Sequence, residues 1–209
     1  MKKLPLFRVI TVLILTILLS FISSCSNDDD INSHKENEAI TEVADEAALL
    51  FMLEEEKLAR DTYTYLNDLW SINQFTNIKS SEQNHMNKIE NLLIQNSIAY
   101  TILPAGEFAD QDLQNLYDQF IVDGAVSKAN ALQIGATIED LDIVDLQDYI
   151  DQTSNETLKS VFKNLKCGSR NHLRSFVSGI ENGGNTYSPQ FLTQEAYDAI
   201  IAGNQEQCN

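Results

Sequence analysis

After residue 37 the apolar residues recur mostly at spacings of three and four, and no alternating run with turn residues at its ends is present. Such spacing lines up one stripe of a helix, whereas a half-buried strand needs a period of two. The first stripe runs from about Asn37 to Trp70 through Val43, Ala47, Leu50, Phe51, Leu58, Tyr65, Leu66 and Leu69, with Ile72 to Phe75 as the turn after it. A second helix is expected from near Asn77 or Ser80, either of which can cap it, to about Asn96, burying Ile78, Met86, Ile89, Leu92 and Leu93. Tyr100 to Gly106 reads as a connection, and a short helix is expected from Ala109 to Val122, ended by Asp123-Gly124.

A third long helix is predicted from Ser127 to Ile150, with Leu132, Ile138, Leu146 and Ile150 on its stripe. Ser154 is the expected cap of a fourth, from Asn155 to about Glu181, which stops at Asn182-Gly183-Gly184. The tail carries Tyr187, Pro189, Phe191 and Leu192 and is too apolar to lie in water. It is expected to wrap back over the helices and end in one short helix, Gln194 to Ile201. Only 8 glycines and 3 prolines occur in 209 residues, which agrees with an all-α domain.

The first 38 residues follow different rules. Lys2, Lys3 and Arg8 precede an apolar stretch from Val9 to Ile22, the order of a secretory signal. Its ending, Ile22-Ser23-Ser24-Cys25, resembles a lipobox, which implies acylation of Cys25, cleavage before it and attachment to a membrane surface. Ser26-Asn27-Asp28-Asp29-Asp30 then reads as a flexible acidic tether and resembles the export tag of some Gram-negative surface lipoproteins. The expected division is a signal over residues 1–24, a tether over 25–38 and one helical domain over 39–209. The expected location is the outer membrane or cell surface of a Gram-negative envelope.

Loss of residues 1–24 removes three basic residues and no acidic one, leaving 11 Lys and Arg against 31 Asp and Glu. A surface this acidic repels phosphates, so nucleic acid is excluded as a partner, while cations are attracted. Besides Cys25 there are two cysteines, Cys167 and Cys208, and an exported chain gives them the chance to pair.

Residues able to bind metal fall one set per long helix. Glu82 and His85 are three apart and share a helical face. Glu56 ends the run Glu54-Glu55-Glu56 near the edge of the first stripe; at least one of the three is expected to be solvated. Glu139 and Asp142 share a face of the third helix, and His172 follows Ser169-Arg170-Asn171 on the fourth. Carboxylates and imidazoles meeting in a bundle core suit iron or manganese, and zinc can take the same donors. The alternative is a polar core without metal, with His85 and His172 bonded to Glu82 or Glu139 and the acids paired with Arg60, Arg170 and Arg174.

These residues carry a resemblance. Glu56-Lys57-Leu58-Ala59-Arg60-Asp61-Thr62-Tyr63 is similar to the E-x-x-A-R-x-x-Y of rubrerythrins, and Glu82 to His85 resembles that family's E-x-x-H. The blocks EEEKLARD, SEQNHM, IGATIEDLDIVDL, GSRNHLRSF and YSPQFL resemble an uncharacterised prokaryotic ferritin-like family, catalogued as a domain of unknown function, over roughly Ala47 to Ile201. The resemblance implies a ferritin-like four-helix bundle with a short extra helix in its long crossover, and a site for one or two ions held by Glu56, Glu82, His85, Glu139, Asp142 and His172. Ser169 departs from it, standing where the fourth helix should carry a carboxylate. Two function classes are implied. One is an iron- or peroxide-handling oxidoreductase fed by an outside electron donor, since the chain has no C-x-x-C pair; the other is a non-enzymatic lipoprotein that binds a metal or a protein partner.

Overall fold

The structure, a computed structural model, describes residues 38–208. The signal, Cys25 and the tether up to residue 37 lie outside the described residues. Six helices and no strand are found among those described: α1 (Val43–Trp70), α2 (Asn73–Gln95), α3 (Gln111–Gly124), α4 (Lys128–Gln152), α5 (Glu156–Asn182) and α6 (Gln194–Ala202). The fold is all-α. None of these helices is long and apolar enough to cross a membrane.

Short links make α1–α2 and α4–α5 two helical hairpins. The hairpins meet through α1 against α4 and α2 against α5, which makes a four-helix bundle, while α3 lies against both α1 and α4 and α6 packs on α5. Four of the six helices begin with a side-chain cap: Asp110, Ser127, Asn155 and Thr193 each accept backbone N–H groups of the first turn. Asn155 takes the role expected of Ser154, which is exposed.

Two helix starts differ from the sequence reading. α1 begins at Val43, six residues later than expected. α2 begins at Asn73, inside the segment read as a turn, because Phe75 and Ile78 are already core residues one helical turn apart; Ser71 alone reverses the chain, with φ 51°. The face of α1 also differs. Val43, Tyr65 and Leu69 are exposed, and the buried stripe runs through Ala48, Met52, Glu55, Ala59, Thr62 and Leu66, with Leu49, Glu56 and Tyr63 beside it. A stripe drawn through apolar residues alone is displaced when acids occupy the buried face.

The core falls into two apolar clusters. One gathers Leu49, Met52, Met86, Ile89, Leu93, Leu146, Phe162 and Leu165. The other gathers Leu58, Tyr63, Leu66, Phe75, Ile138, Leu173 and Phe176 with the tail residues Tyr187, Tyr197 and Ile200. On α1, α2 and α5 the buried Glu55 and Glu56, Glu82 and His85, and Ser169 and His172 lie between the contributions to the two clusters. On α4, Glu139 and Asp142 lie at the end of one cluster's stretch, just before Leu146 of the other. A polar layer therefore crosses the middle of the bundle, shielded at both ends.

Two buried polar knots hold the crossover and the tail in place. The Lys57 ammonium donates to Asp61 at 2.7 Å and to the carbonyls of Pro104 and Glu107 at 2.9 Å, and stands 4.1 Å from the centre of the Phe108 ring. The Asp61 carboxylate also receives Arg60 and the Gly106 N–H, and Glu54 receives the N–H groups of Ala109 and Asp110. Glu55 and Glu56 are buried, and Glu54 alone of the run stays partly exposed, its oxygens taken by these two N–H groups. Asp140, fully buried, accepts from the Tyr187 hydroxyl and the N–H groups of Gln190, Phe191 and Leu192, which fastens the tail onto α4.

Candidate metal centre

The polar layer holds two sets of donors that share one residue. Glu56, Glu82 and His85 form the first, and Glu82, Glu139 and His172 the second; in each, one ligand atom per residue lies within 4.8 Å of the others, and all five residues are buried. α1 supplies Glu56, α2 supplies Glu82 and His85 from one face, α4 supplies Glu139 and α5 supplies His172.

Glu82 faces both imidazoles. Its Oε2 is 3.0 Å from His85 Nδ1 and its Oε1 is 2.8 Å from His172 Nδ1. Glu56 Oε2 approaches His85 Nδ1 to 3.1 Å, and Glu139 Oε2 approaches His172 Nδ1 to 3.4 Å. The rings lie near parallel, 5.6 Å between centres. Donors of a single ion at about 2.0–2.2 Å from it stand roughly 3–4 Å apart, so both sets are compact enough to hold one cation each.

The hydrogen bonding decides whether these residues suit a cation. Glu82 Oε1 and His172 Nδ1 are in close approach, yet neither is aligned for a hydrogen bond, and Glu56 Oε1 is also buried without a partner. His85 Nδ1 and Glu56 Oε2 share a hydrogen bond, whereas Glu82 Oε1, His172 Nδ1 and Glu56 Oε1 are left over. Buried polar atoms are nearly always hydrogen-bonded, and such left-over donor atoms fit ligands around an ion. Among the described residues no guanidinium or ammonium pairs with these carboxylates: Lys57 and Arg60 pair with Asp61, and Arg170 and Arg174 pair with Glu206. The donor set, oxygen and imidazole nitrogen without thiolate, suits iron, manganese or zinc.

Without a cation, protons must balance the charge. Burial pushes the Glu56 carboxyl up to about 8 even though His85 opposes it. Burial also raises Glu82, but the His172 and His85 imidazoles more than reverse this and hold it well below its ordinary value. Burial lowers His172, and Glu82 and Glu139 overcome it, bringing the imidazole to about 10. His85 is raised well above its usual value in the same way, against its own burial, by Glu56 and Glu82.

Three neighbours set the shape of the layer. The Tyr63 hydroxyl donates to Glu139 Oε1 at 2.6 Å, and the ring is packed between Phe75 and Phe176. Gly168 lies against the back of His85, where a Cβ would stand 2.6 Å from Nε2. Ser169 donates to Asp142 Oδ2 and also lies 3.0 Å from its own helix carbonyl, Leu165 O. Of the six residues expected as ligands, five come together in the two sets; Asp142 is buried beside them, bonded to Ser169. Sequence reasoning missed Glu55, also buried, and Gly168, although residue 55 lies on the stripe of Ala48, Met52 and Ala59.

A cavity of about 640 Å³ opens beside the two imidazoles, lined also by Lys88, Asn164, Gly168 and the tail residues Gln205, Glu206 and Cys208. Its tail wall is anchored by Glu206 between Arg170 and Arg174, by two hydrogen bonds between Asn171 and the Glu206 backbone, and by a disulfide from Cys167 to Cys208.

Residues 45–204 match the model of a family described as an uncharacterized protein domain, DUF2202. The chain belongs to this family. Uncharacterized protein MJ0754 of Methanocaldococcus jannaschii is 43% identical over 160 residues, 76% of this chain and 86% of that protein. The crystal structure of hypothetical protein MJ0754 from Methanococcus jannaschii DSM 2661 aligns with a TM-score of 0.78 at 42% identity, covering 81% of this chain and 97% of that one. The DUF2202 match contains every residue of both donor sets, and Cys25 and Cys208 lie beyond it.

Proposed function

We propose that this DUF2202 chain is a ferritin-like metal protein, exported and held on the outer membrane or cell surface by acylation at Cys25, whose bundle binds two divalent ions, iron or manganese before zinc. The observation that carries the reading is Glu82, which belongs to both donor sets and turns one oxygen to each imidazole, with no described Lys or Arg paired to the acids of either set. Glu56 and His85 would hold one ion, Glu139 and His172 the other, and Glu82 would span the two. The lipobox-like Ile22-Ser23-Ser24-Cys25 and the acidic residues after it support the anchorage.

Iron or manganese bound here would supply one-electron redox chemistry, which suits oxidation of Fe(II) by peroxide: two ferrous ions, one hydrogen peroxide and two protons give two ferric ions and two waters. The protein's own part is positioning. Tyr63 ties down Glu139 Oε1 and leaves Oε2 toward His172, and the apolar clusters close the layer above and below, leaving the cavity beside the imidazoles as its open side. His85 and His172 would bind a cation through neutral Nδ1, so loading the site would release their Nδ1 protons. The activity is tested by mixing the metal-loaded chain with excess Fe(II) and peroxide without oxygen. Fe(II) oxidation above the protein-free rate, lost in Glu82→Gln, supports it, and an unchanged rate contradicts it.

The Ser169–Asp142 contact favours a second reading, because it occupies a carboxylate that a fully symmetric centre would use. In that reading the metal is structural and the lipoprotein turns nothing over. Thermal unfolding that shifts with chelator and with His85→Ala, but no Fe(II) oxidation, would support it over the first.

A further inference from the structure

Among the described carboxyls outside both donor sets, Glu55 is the one whose two oxygens are both buried without a hydrogen-bond partner. Glu55 on α1 is 1% exposed, and no N–H or O–H among the described residues donates to either of its oxygens. A buried carboxylate left in that state costs several kcal/mol. Its neighbours are acids on α4: Asp145 is within hydrogen-bonding reach, and Asp142 is alongside. Asp142 and Asp145 are one helical turn apart on one face, and Asp142 Oδ1 is buried without a partner as well. No described Lys, Arg or His forms an ion pair with any of the three.

The three carboxyls make a graded path. Asp145 is half-exposed, Glu55 and Asp142 are buried, and Asp142 stands beside Glu56 and Glu139 of the metal centre. Burial raises the Tyr149 phenol, and the negative charges of Asp145, Glu55, Asp110 and Asp148 raise it further. The donors along this path are oxygen only, whereas the inner sets add imidazole nitrogen. First-row divalent ions are held more tightly by mixed nitrogen and oxygen sites than by carboxylate alone, so the gradient runs inward.

We infer that Glu55, Asp142 and Asp145 form an entry site that takes a hydrated divalent cation from the α1–α4 surface and passes it to the buried glutamate and histidine sets. The inference rests on the metal-binding reading above. Two carboxyls in contact, one of them buried, need a proton or a cation between them, and the unpartnered Glu55 oxygens leave room for either. Glu55→Gln and Asp145→Asn separate the two, since each keeps the shape and removes the charge.

The test uses the full chain in detergent, stripped of metal, with Mn(II) added and its dissolved signal followed by electron paramagnetic resonance. Either substitution is expected to slow uptake about tenfold, the scale on which acidic approaches raise cation on-rates, and to leave the final Mn(II) per chain unchanged. Uptake as fast as wild type in both variants overturns the entry site, as does a lower final content at an unchanged rate. A wild-type chain that takes up no Mn(II) defeats the metal-binding reading itself. Melting of the metal-free variants, expected at or above wild type, shows that they fold.

Discussion

The Ser169 hydroxyl donates to one oxygen of Asp142 in the middle of the bundle, and the other Asp142 oxygen has no partner. The pair links α5 to α4 at the position where the rubrerythrin resemblance calls for a fourth-helix carboxylate. A hydroxyl there supplies a donor instead of a charge, and Asp142 is held by it.

Ser169→Ala removes that donor and leaves a buried carboxyl with neither oxygen satisfied. The metal-stripped variant is expected to lose about 1–3 kcal/mol in denaturant unfolding. The metal-loaded variant is expected to lose less, because a cation can take the vacated oxygen.

Proton balance sets the pH dependence of the metal-stripped chain. Folded Glu56 keeps its proton up to about 8 and folded His172 up to about 10, whereas the unfolded groups release theirs near 4.5 and 6.5. Both bind more protons folded than unfolded in those windows, so stability falls as pH rises from about 5 to 10. Glu82, held low, acts the other way, and its share is lost only as pH falls below about 4.5. Thermal melts from pH 5 to 9 are expected to show a falling Tm in chelator and a flat or rising one with metal, since bound cations replace those protons.

Gly168→Ala tests how His85 is placed. The added Cβ would meet Nε2 at 2.6 Å and Cε1 at 2.7 Å, so the ring must move away from α5. Overpacking of this kind costs about 1–3 kcal/mol. Metal content of the purified variant is expected to fall with it, while the same substitution at exposed Gly203 leaves metal content unchanged.

Asp140→Ala separates the tail from the metal centre. It strips a buried acceptor from the Tyr187 hydroxyl and three backbone N–H groups, at an expected cost of roughly 3 kcal/mol or more. Limited proteolysis should cut near residues 187–192 first, with metal still bound.

The number and order of the helices were legible because apolar spacing carries them, and the buried Glu and His clusters because an E-x-x-H keeps two such side chains on one face. α1 misled for a specific reason: Glu55, Glu56 and Thr62 occupy its buried face, so apolar residues alone pointed to Val43, Tyr65 and Leu69, which are exposed. Asp140 was hidden for a similar reason. Its partners are backbone N–H groups 50 to 52 residues away, and nothing in local spacing marks a carboxylate that folds a tail. The shared role of Glu82 depends on the distance between two helices, which the chain sets only once it is packed.

If Glu82 joins two metal-binding sets, its loss must empty both, and the metal content of the chain reads this out. The wild-type chain, reconstituted with Fe(II) or Mn(II) without oxygen and freed of loose metal, is predicted to carry two ions per chain by elemental analysis. Glu56→Gln is predicted to keep about one of them and Glu82→Gln neither. A wild-type chain that holds no stoichiometric metal, or a Glu82→Gln variant that holds as much as wild type, would contradict the account.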